Sequence, residues 1–439
     1  MFQFGPLDQG WWPDGLYTAP TDAALRYDIE VTKELGFNMA RKHVKVEPQR
    51  WYYWCDRLGL LVWQDMPSGM ARGRNQHVKQ GQRRDAELTD QEQEQFRTEL
   101  RAMIDQHRNS PSIVVWCPFN EGWGQHDTNA VLRWTREYDP TRLVDGPSGW
   151  EDRGYGDLID MHRYPGPDMF PPPPERVSVL GEFGGLGLPL KGHLWVESNN
   201  WGYRTYATRE ELLAHYEALI REMPRLIGQG LAAAVYTQTT DVEIEVNGLL
   251  TYDRQQIQLD PRRLPELHRV LYLPPPRRLT VVPTSEAAPH SWLFTTTAPE
   301  GDAWTSPDFD AAGWTMAPGG FGTVLTPGAV VRTEWKTSDI WLRRTFELDG
   351  RLVAALTADG STPLLRLHHD EGAEVYLNGR RIASTSGYTT GYIEVPLDRP
   401  EWREGQNVLA VHCRQTEGGQ YIDAGLLLSE PTGTSSAAP

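Results

Sequence analysis

The stretch "SIVVWCPFNEG" (residues 112–122) decides how the first half of the chain is read. Its apolar, β-branched run from Ile113 to Trp116 has the composition of a strand buried on both faces. The run ends on Asn120 and Glu121 and breaks at Gly122. A buried strand that finishes on an amide beside a carboxylate places two polar groups at its carboxyl end. What those groups hold there depends on the segments around them.

Seven further apolar runs share this character: "MFQFG" (1–5), "FNMAR" (37–41), "LLVWQD" (60–65), "RLVDG" (142–146), "LIDMHRY" (158–164), "VSVLGEF" (177–183) and "LAAAVYTQ" (231–238). Helical patterns lie between them. Thr89 to Glu92 reads as a capping box that opens a helix with Phe96, Leu100, Met103, Ile104 and His107 on one face. The segment from Thr21 to Leu35 stops at Gly36. A third helix fits 208–227, where Pro224 is expected to kink or shorten it. Eight apolar strands alternating with helices predict a parallel sheet closed into an α/β (β/α)8 TIM barrel over residues 1–273. The open doubly wound alternative lacks the Gly-rich phosphate loop that usually marks it.

After "YLPPPRRLTVVPTSEAAPH" (272–290) the pattern changes. A proline-rich linker is expected at 274–288, an all-β jelly-roll sandwich at 289–431, and a disordered tail at 432–439. Asn378-Gly379, between two strand-like runs, is a hairpin signal.

Composition excludes several classes. A formal net charge of −16 over 439 residues argues against a nucleic-acid partner. No apolar run is long enough to span a bilayer, so no membrane partner is expected. Cys55, Cys117 and Cys413 are far apart and in no metal-like spacing. They read as buried free thiols, and neither metal nor cofactor is expected. Met1 is followed by no export signal, which points to the cytoplasm.

In a barrel, chemistry sits at the carboxyl ends of the strands. Those ends supply Asp8, Arg41 and His43, Asp65, Asn120 and Glu121, His162 and Tyr164, Glu182, and Gln238. Two are glutamates on strands four and seven, facing one another across the mouth. Paired carboxylates are what glycosidic cleavage requires, with about 5–5.5 Å between them for retention and more for inversion. The acid of such a pair is expected to have a raised pKa from partial burial and a nearby like charge. Trp116 reads as strand packing, and Trp123 as either a sugar platform or packing.

Several ordered motifs resemble glycoside hydrolase family 2, the family of β-galactosidase, β-glucuronidase and β-mannosidase. "SIVVWCPFNEG" resembles its acid/base segment and "VLGEFGG" its nucleophile strand. "GFNMARKHVKVEPQRWYYWCDRLGLLVWQD" is similar to its second and third barrel strands, and "TQTTDVEIEVNGLLTYDR" to its last strand and loop. The resemblance implies Glu121 as general acid/base and Glu182 as the nucleophile that forms a glycosyl-enzyme. It implies Asn120 on the sugar 2-hydroxyl, Tyr164 and Arg41 on the Glu182 carboxylate, and His43 and Asp65 lining the site. His162, Asp8, Trp123 and Gln238 complete the expected substrate-binding set. Members of that family carry two β-domains ahead of the barrel, whereas here strand one begins at residue 2.

The expected function is a retaining exo-β-glycosidase working by double displacement on a carbohydrate substrate, with a β-galactoside first. A β-glucuronidase or β-mannosidase specificity and a catalytically weak carbohydrate-binding protein stay open. A homo-oligomer is also possible. A serine hydrolase is disfavoured because no G-x-S-x-G elbow is present.

Overall fold

The computed structural model describes residues 1–68, 76–324 and 326–430. The tail expected at 432–439 lies outside them. The chain divides into two compact units, Met1–Pro275 and Pro276–Pro439.

The first unit is a parallel barrel. Its strands are β1 (Gln3–Asp8), β2 (Met39–Lys42), β3 (Leu61–Asp65), β4 (Ile113–Cys117), β5 (Leu143–Val144), β6 (Leu158–Arg163), β7 (Val177–Gly184) and β8 (Leu231–Thr237). They run in the order 5-4-3-2-1-8-7-6. The ring is closed by a parallel bridge between Asp145 and Leu158, where the Asp157 amide donates to the Val144 carbonyl at 2.8 Å. Alternation along each strand sorts the core. Leu7, Met39, Trp63, Val115, Cys117, Leu158, Val179, Ala233 and Val235 fill the interior. Their neighbours Ala40, Val62 and Trp116 face outward to α1 (Asp22–Glu34), α2 (Gln49–Leu58) and α3 (Asp90–His107). Phe4, Leu180, Ala234 and Tyr236 face outward to α5 (Arg209–Gln229) and α6 (Arg263–Arg269). Trp116 is therefore packing, with its indole N–H on Asp139 Oδ2 at 3.1 Å.

Helix ends follow their local chemistry. Thr89 and Glu92 form the reciprocal capping box on α3. The helix α5 runs through Pro224 to Gln229 and stops at Gly230, which takes φ 112°. The expected shortening does not occur. Burial of Leu212, Tyr216, Ile220, Met223 and Leu226 along one face of α5 outweighs the ~3 kcal/mol that an interior proline costs.

The strand–helix alternation is incomplete. A fourth helix, α4 (Thr128–Tyr138), follows β4, but residues 145–157 and 164–176 contain no helix. Glycines and prolines crowd both segments, from Gly146-Pro147 to "PPPP" at 171–174, and neither residue sustains a helix interior.

In the second unit two six-stranded, mostly antiparallel sheets share one apolar core that includes Val282, Trp292, Phe321, Leu342, Leu365, Val411 and Ile422. Asn378 and Gly379 take φ 51° and 91° between paired strands, the left-handed geometry of a two-residue hairpin. Two details differ from the sequence reading. Arg277–Val282, inside the expected linker, is a strand paired with Tyr421–Glu430. The run "LTVV" there prefers a ladder despite its flanking prolines. One short helix, α7 (Gly350–Thr357), interrupts the expected all-β pattern. Among the described residues no helix is long and apolar enough to cross a membrane.

Phe4 is fully buried and its ring packs on Phe37, Phe183 and His268. Phe4→Ala should destabilise the first unit by about 3 to 5 kcal/mol, read as a lower urea midpoint in tryptophan fluorescence. An unchanged midpoint would show that the barrel relaxes around the cavity.

Candidate active site

The residues at the strand ends meet around Arg41, whose side chain is 0% exposed. Its Nε and Nη2 donate to the two oxygens of Asp65, each at 3.0 Å. Nη2 also donates to Asn120 Oδ1 at 2.7 Å. Nη1 donates to the Gly181 carbonyl at 3.2 Å and to Glu182 Oε1 at 3.3 Å. Tyr164 donates to the other oxygen, Glu182 Oε2, at 2.6 Å, with its hydroxyl 2.7 Å from Thr237 Oγ1. Asp65 also lies 3.2 Å from His43 Nδ1.

Glu182 reaches the site through a bulge. Met161 pairs with Leu180 but His162 with Glu182, and on the other side Ala234 pairs with Leu180 but Tyr236 with Phe183. β7 thus carries one extra residue against both neighbours. Strict alternation from the inward Val179 would turn Glu182 outward. The extra residue brings both Gly181 and Glu182 inward, which is how a bulge re-aims a side chain.

Glu121 sits beyond the regular end of β4. Its amide donates to the Ser148 carbonyl at 2.9 Å, and its carbonyl lies 3.0 Å from His77 Nε2. It takes φ 47°, a left-handed conformation that a side chain this large adopts only when its surroundings enforce it. Gly122 follows at φ 74°, and a Cβ there would sit 2.1 Å from the Val78 carbonyl oxygen.

His162 stands between the two glutamates, with Nδ1 2.9 Å from Glu121 Oε1 and 3.4 Å from Glu182 Oε2. Glu121, His162 and Glu182 each offer an atom within 4.8 Å of the others. The Arg41 guanidinium on Glu182 and the His162 imidazole face the two carboxylates of that cluster. Glu121 is the open member, its side chain 22% exposed against 6% for Glu182. Burial pushes the Glu121 carboxyl up, but the hydrogen bond and charge of His162 outweigh it and hold the pKa below the usual value. This is opposite in sign to the expectation for an acid, because the neighbour that dominates is an imidazole and not the second carboxylate.

Two expected site residues have their polar groups spent elsewhere, and a third packs its ring on a neighbour. Asp8 pairs with Lys42 at 2.7 Å, and Lys42 also holds Glu47 at 3.0 Å. Lys42 follows Arg41 and so faces away from it, taking Asp8 along. The Gln238 amide accepts from Gln9 and donates to Asn247, both at 2.8 Å. Trp123 stacks on His77 at 3.8 Å and 7°.

The sequence reading passed over Asp160, Ser148, Thr237, Tyr203 and Glu245. Asp160 was within reach, because it shares the inward face of β6 with His162 two residues on. Tyr203 stacks on Tyr164 at 3.6 Å and 3° from a separate loop. The half-buried Glu245 accepts from Asn247 at 2.9 Å. Burial and the charge of Glu182 raise its pKa. No local pattern marks either residue.

Residues 19–164 match the family model "Glycosyl hydrolases family 2, TIM barrel domain". The chain is similar to a beta-galactosidase of Vibrio cholerae serotype O1, 26% identical over 138 residues. It is also similar to beta-galactosidase 2 of Enterobacter cloacae, 29% identical over 144 residues. Each match spans 31% of this chain and 13% of the relative, so the chain aligns with a small part of those proteins. Among solved structures it is similar to an FMN-binding beta-glucuronidase from Facaelibacterium prausnitzii L2-6, with TM-score 0.45, 16% identity, and 96% and 56% of the two chains covered. A beta-D-glucuronidase of Dictyoglomus thermophilum matches with TM-score 0.46, 17% identity, and 62% and 51% covered.

Burial pushes Asp65 up, but the Arg41 charge and the hydrogen bonds from His43 and Arg41 prevail and hold it at about 2. Its unfolded value is about 3.9. The stabilisation is therefore fully present above pH ~4 and is lost as pH falls toward 2. Asp65→Asn should cost about 3 to 5 kcal/mol at neutral pH, since it leaves a buried guanidinium short of a counter-charge. Denaturant titrations at pH 7 and pH 3 should show that cost shrinking, and an equal cost at both would contradict the assignment.

Proposed function

We propose that this barrel, which belongs to glycosyl hydrolases family 2, is the catalytic unit of a retaining exo-β-glycosidase acting on terminal β-linked sugars. The observation that carries the proposal is the approach of Glu121 and Glu182 to within 4.8 Å at the barrel mouth. That approach supports the short separation of a retaining pair, ~5–5.5 Å, over the wider one of an inverting pair.

The geometry gives each group a task. Glu182 attacks the anomeric carbon while the glycosidic bond breaks toward the leaving oxygen, which takes a proton from Glu121. Water then attacks the glycosyl-enzyme, gives its proton to Glu121, and frees Glu182. Arg41 and Tyr164 hold one oxygen each of the nucleophile and so fix its angle of attack. Asn120 Oδ1 is committed to Arg41, which turns its NH2 outward to donate to the hydroxyl beside the reacting carbon. Tyr203 and Trp201, exposed and ring-to-ring at 5.4 Å, are suited to flank a sugar. The aligned relatives are named beta-galactosidases, which puts β-galactosides first.

A panel of 4-nitrophenyl β-galactoside, β-glucuronide and β-mannoside tests substrate class, and inactivity on all three would reject the glycosidase reading. Proton NMR of the first product formed should show the β-anomer, whereas the α-anomer would mean inversion. Glu182→Gln should remove turnover by several orders of magnitude with the fold intact. Glu121→Ala should cost about 10²- to 10⁴-fold on alkyl glycosides. On aryl glycosides with good leaving groups its cost should be much smaller. Equal losses on both substrate types would take Glu121 out of its role.

A further inference from the structure

Behind the acid/base the hydrogen bonds continue into the barrel. His162 meets Glu121 through Nδ1, and its other nitrogen, Nε2, lies 2.9 Å from Ser148 Oγ. The Ser148 hydroxyl donates to Asp160 Oδ2 at 2.6 Å, and Asp160 Oδ1 accepts the Gly181 amide at 2.5 Å. Two glycines make room for this chain. A Cβ on Gly149 would sit 2.6 Å from the His162 ring, and one on Gly181 would sit 2.0 Å from Asp160 Oδ2. Ser148 is fully buried and Asp160 almost so. A hydroxyl has one proton to give. With that proton on Asp160, Ser148 accepts from His162 and Nε2 carries the ring proton; Arg41 Nη1, 3.4 Å from the same nitrogen and able only to donate, directs its hydrogens to Gly181 and Glu182 instead. Nδ1 and Glu121 Oε1 are left facing each other across 2.9 Å with room for a single proton.

We propose that Ser148 and Asp160 are positioning residues that pin the Nε2–H form of His162, so that His162 and Glu121 together hold the one proton delivered to the leaving group. The proposal rests on the glycosidase reading of the same site. The balance closes over a cycle. The pair loses its proton to the leaving oxygen as Glu182 bonds to the sugar, and regains it from water as that bond breaks.

Charged and titratable groups face His162 from several strands. Glu121 lies beyond β4, and Glu182 on β7 is 3.4 Å from Nδ1. Arg41 on β2 has Nη1 3.4 Å from Nε2, and Asp160 is 4.0 Å away on β6 itself. Tyr164 and Arg41 also touch Glu182, and Arg41 is tied to Asp65 and through it to His43. Asp145, beside Cys117, lies against Asp160; burial and the charge of Asp160 raise its pKa well above the usual carboxylate value. Burial works against a charge on His162, yet Glu182, Glu121 and Asp160 outweigh both burial and Arg41 and raise its pKa. Removing the support of Ser148 or Asp160 should therefore let the shared proton escape at lower pH.

The test uses the full chain with 15N-labelled histidine, in wild type, Ser148→Ala and Asp160→Asn. At pH values above the basic limb, where the shared proton has left, wild-type His162 should give the NMR pattern of the neutral Nε2–H form. Both variants should lose about tenfold in kcat/KM on an alkyl β-glycoside, with less change in KM. The basic limb of their pH profile should move down by about one pH unit. A purely structural role would lower stability and leave that limb in place. An Nδ1–H form in the wild type, or unmoved limbs in folded variants, would overturn the proposal. Should the variants not fold, the wild-type tautomer decides it alone. A wild type inactive on every β-glycoside would sink the glycosidase reading and leave the tautomer result to judge the positioning claim separately.

Discussion

One guanidinium organises the mouth of this barrel. Arg41 is fully buried and bonds to Asp65 on β3, Asn120 past β4, and Gly181 and Glu182 on β7. A buried charge costs several kcal/mol unless its donors are met, so misplacing any of these partners is strongly destabilising. Four strands far apart in sequence are thereby held in one register at their carboxyl ends. Lysine could not replace it, because only a planar fork reaches a bidentate carboxylate, an amide and a second carboxylate together.

Around that anchor, the backbone departs from regular geometry where the chemistry is placed. β7 carries its extra residue at Gly181 and Glu182, and Glu121 takes a left-handed conformation just past β4. A regular strand presents every second residue to one side. The bulge lets two consecutive groups face inward, and the left-handed turn re-aims Glu121 back toward β6. These distortions are sustained by close packing, with Gly149 against His162 and Gly181 against Asp160.

Carboxyl groups outnumber cations in this small volume. Asp65, Glu121, Asp145, Asp160, Glu182 and Glu245 share it with Arg41 and two imidazoles. Such a set is kept in balance by protons, which is why Asp145 and Glu245 are raised while Asp65 and Glu121 are lowered. Titration of any member is felt by the others, so pH dependence belongs to the cluster.

The sequence by itself determined the class of fold and the two central carboxylates. Eight apolar runs alternating with helical patterns read as a parallel sheet buried on both faces, and the lack of a Gly-rich phosphate loop favours the closed form over the doubly wound one. Such a sheet necessarily gathers its carboxyl ends, so Arg41, Asp65, Asn120, Glu121, His162, Tyr164 and Glu182 were legible from periodicity and from motifs resembling a known family. Tertiary structure alone decided the rest. Asp8 and Gln238 also stand at strand ends, yet they pair with Lys42 and with Gln9 and Asn247, because which polar group a residue meets is settled across the barrel and not along the chain. Ser148 lies in a glycine-rich loop without periodicity, and it matters only because that loop folds back against His162. The missing helices after β5 and β6 are written in the glycines and prolines of those segments, but the bulge that turns Glu182 inward follows from pairing with the strands on either side, which no local pattern of residues encodes.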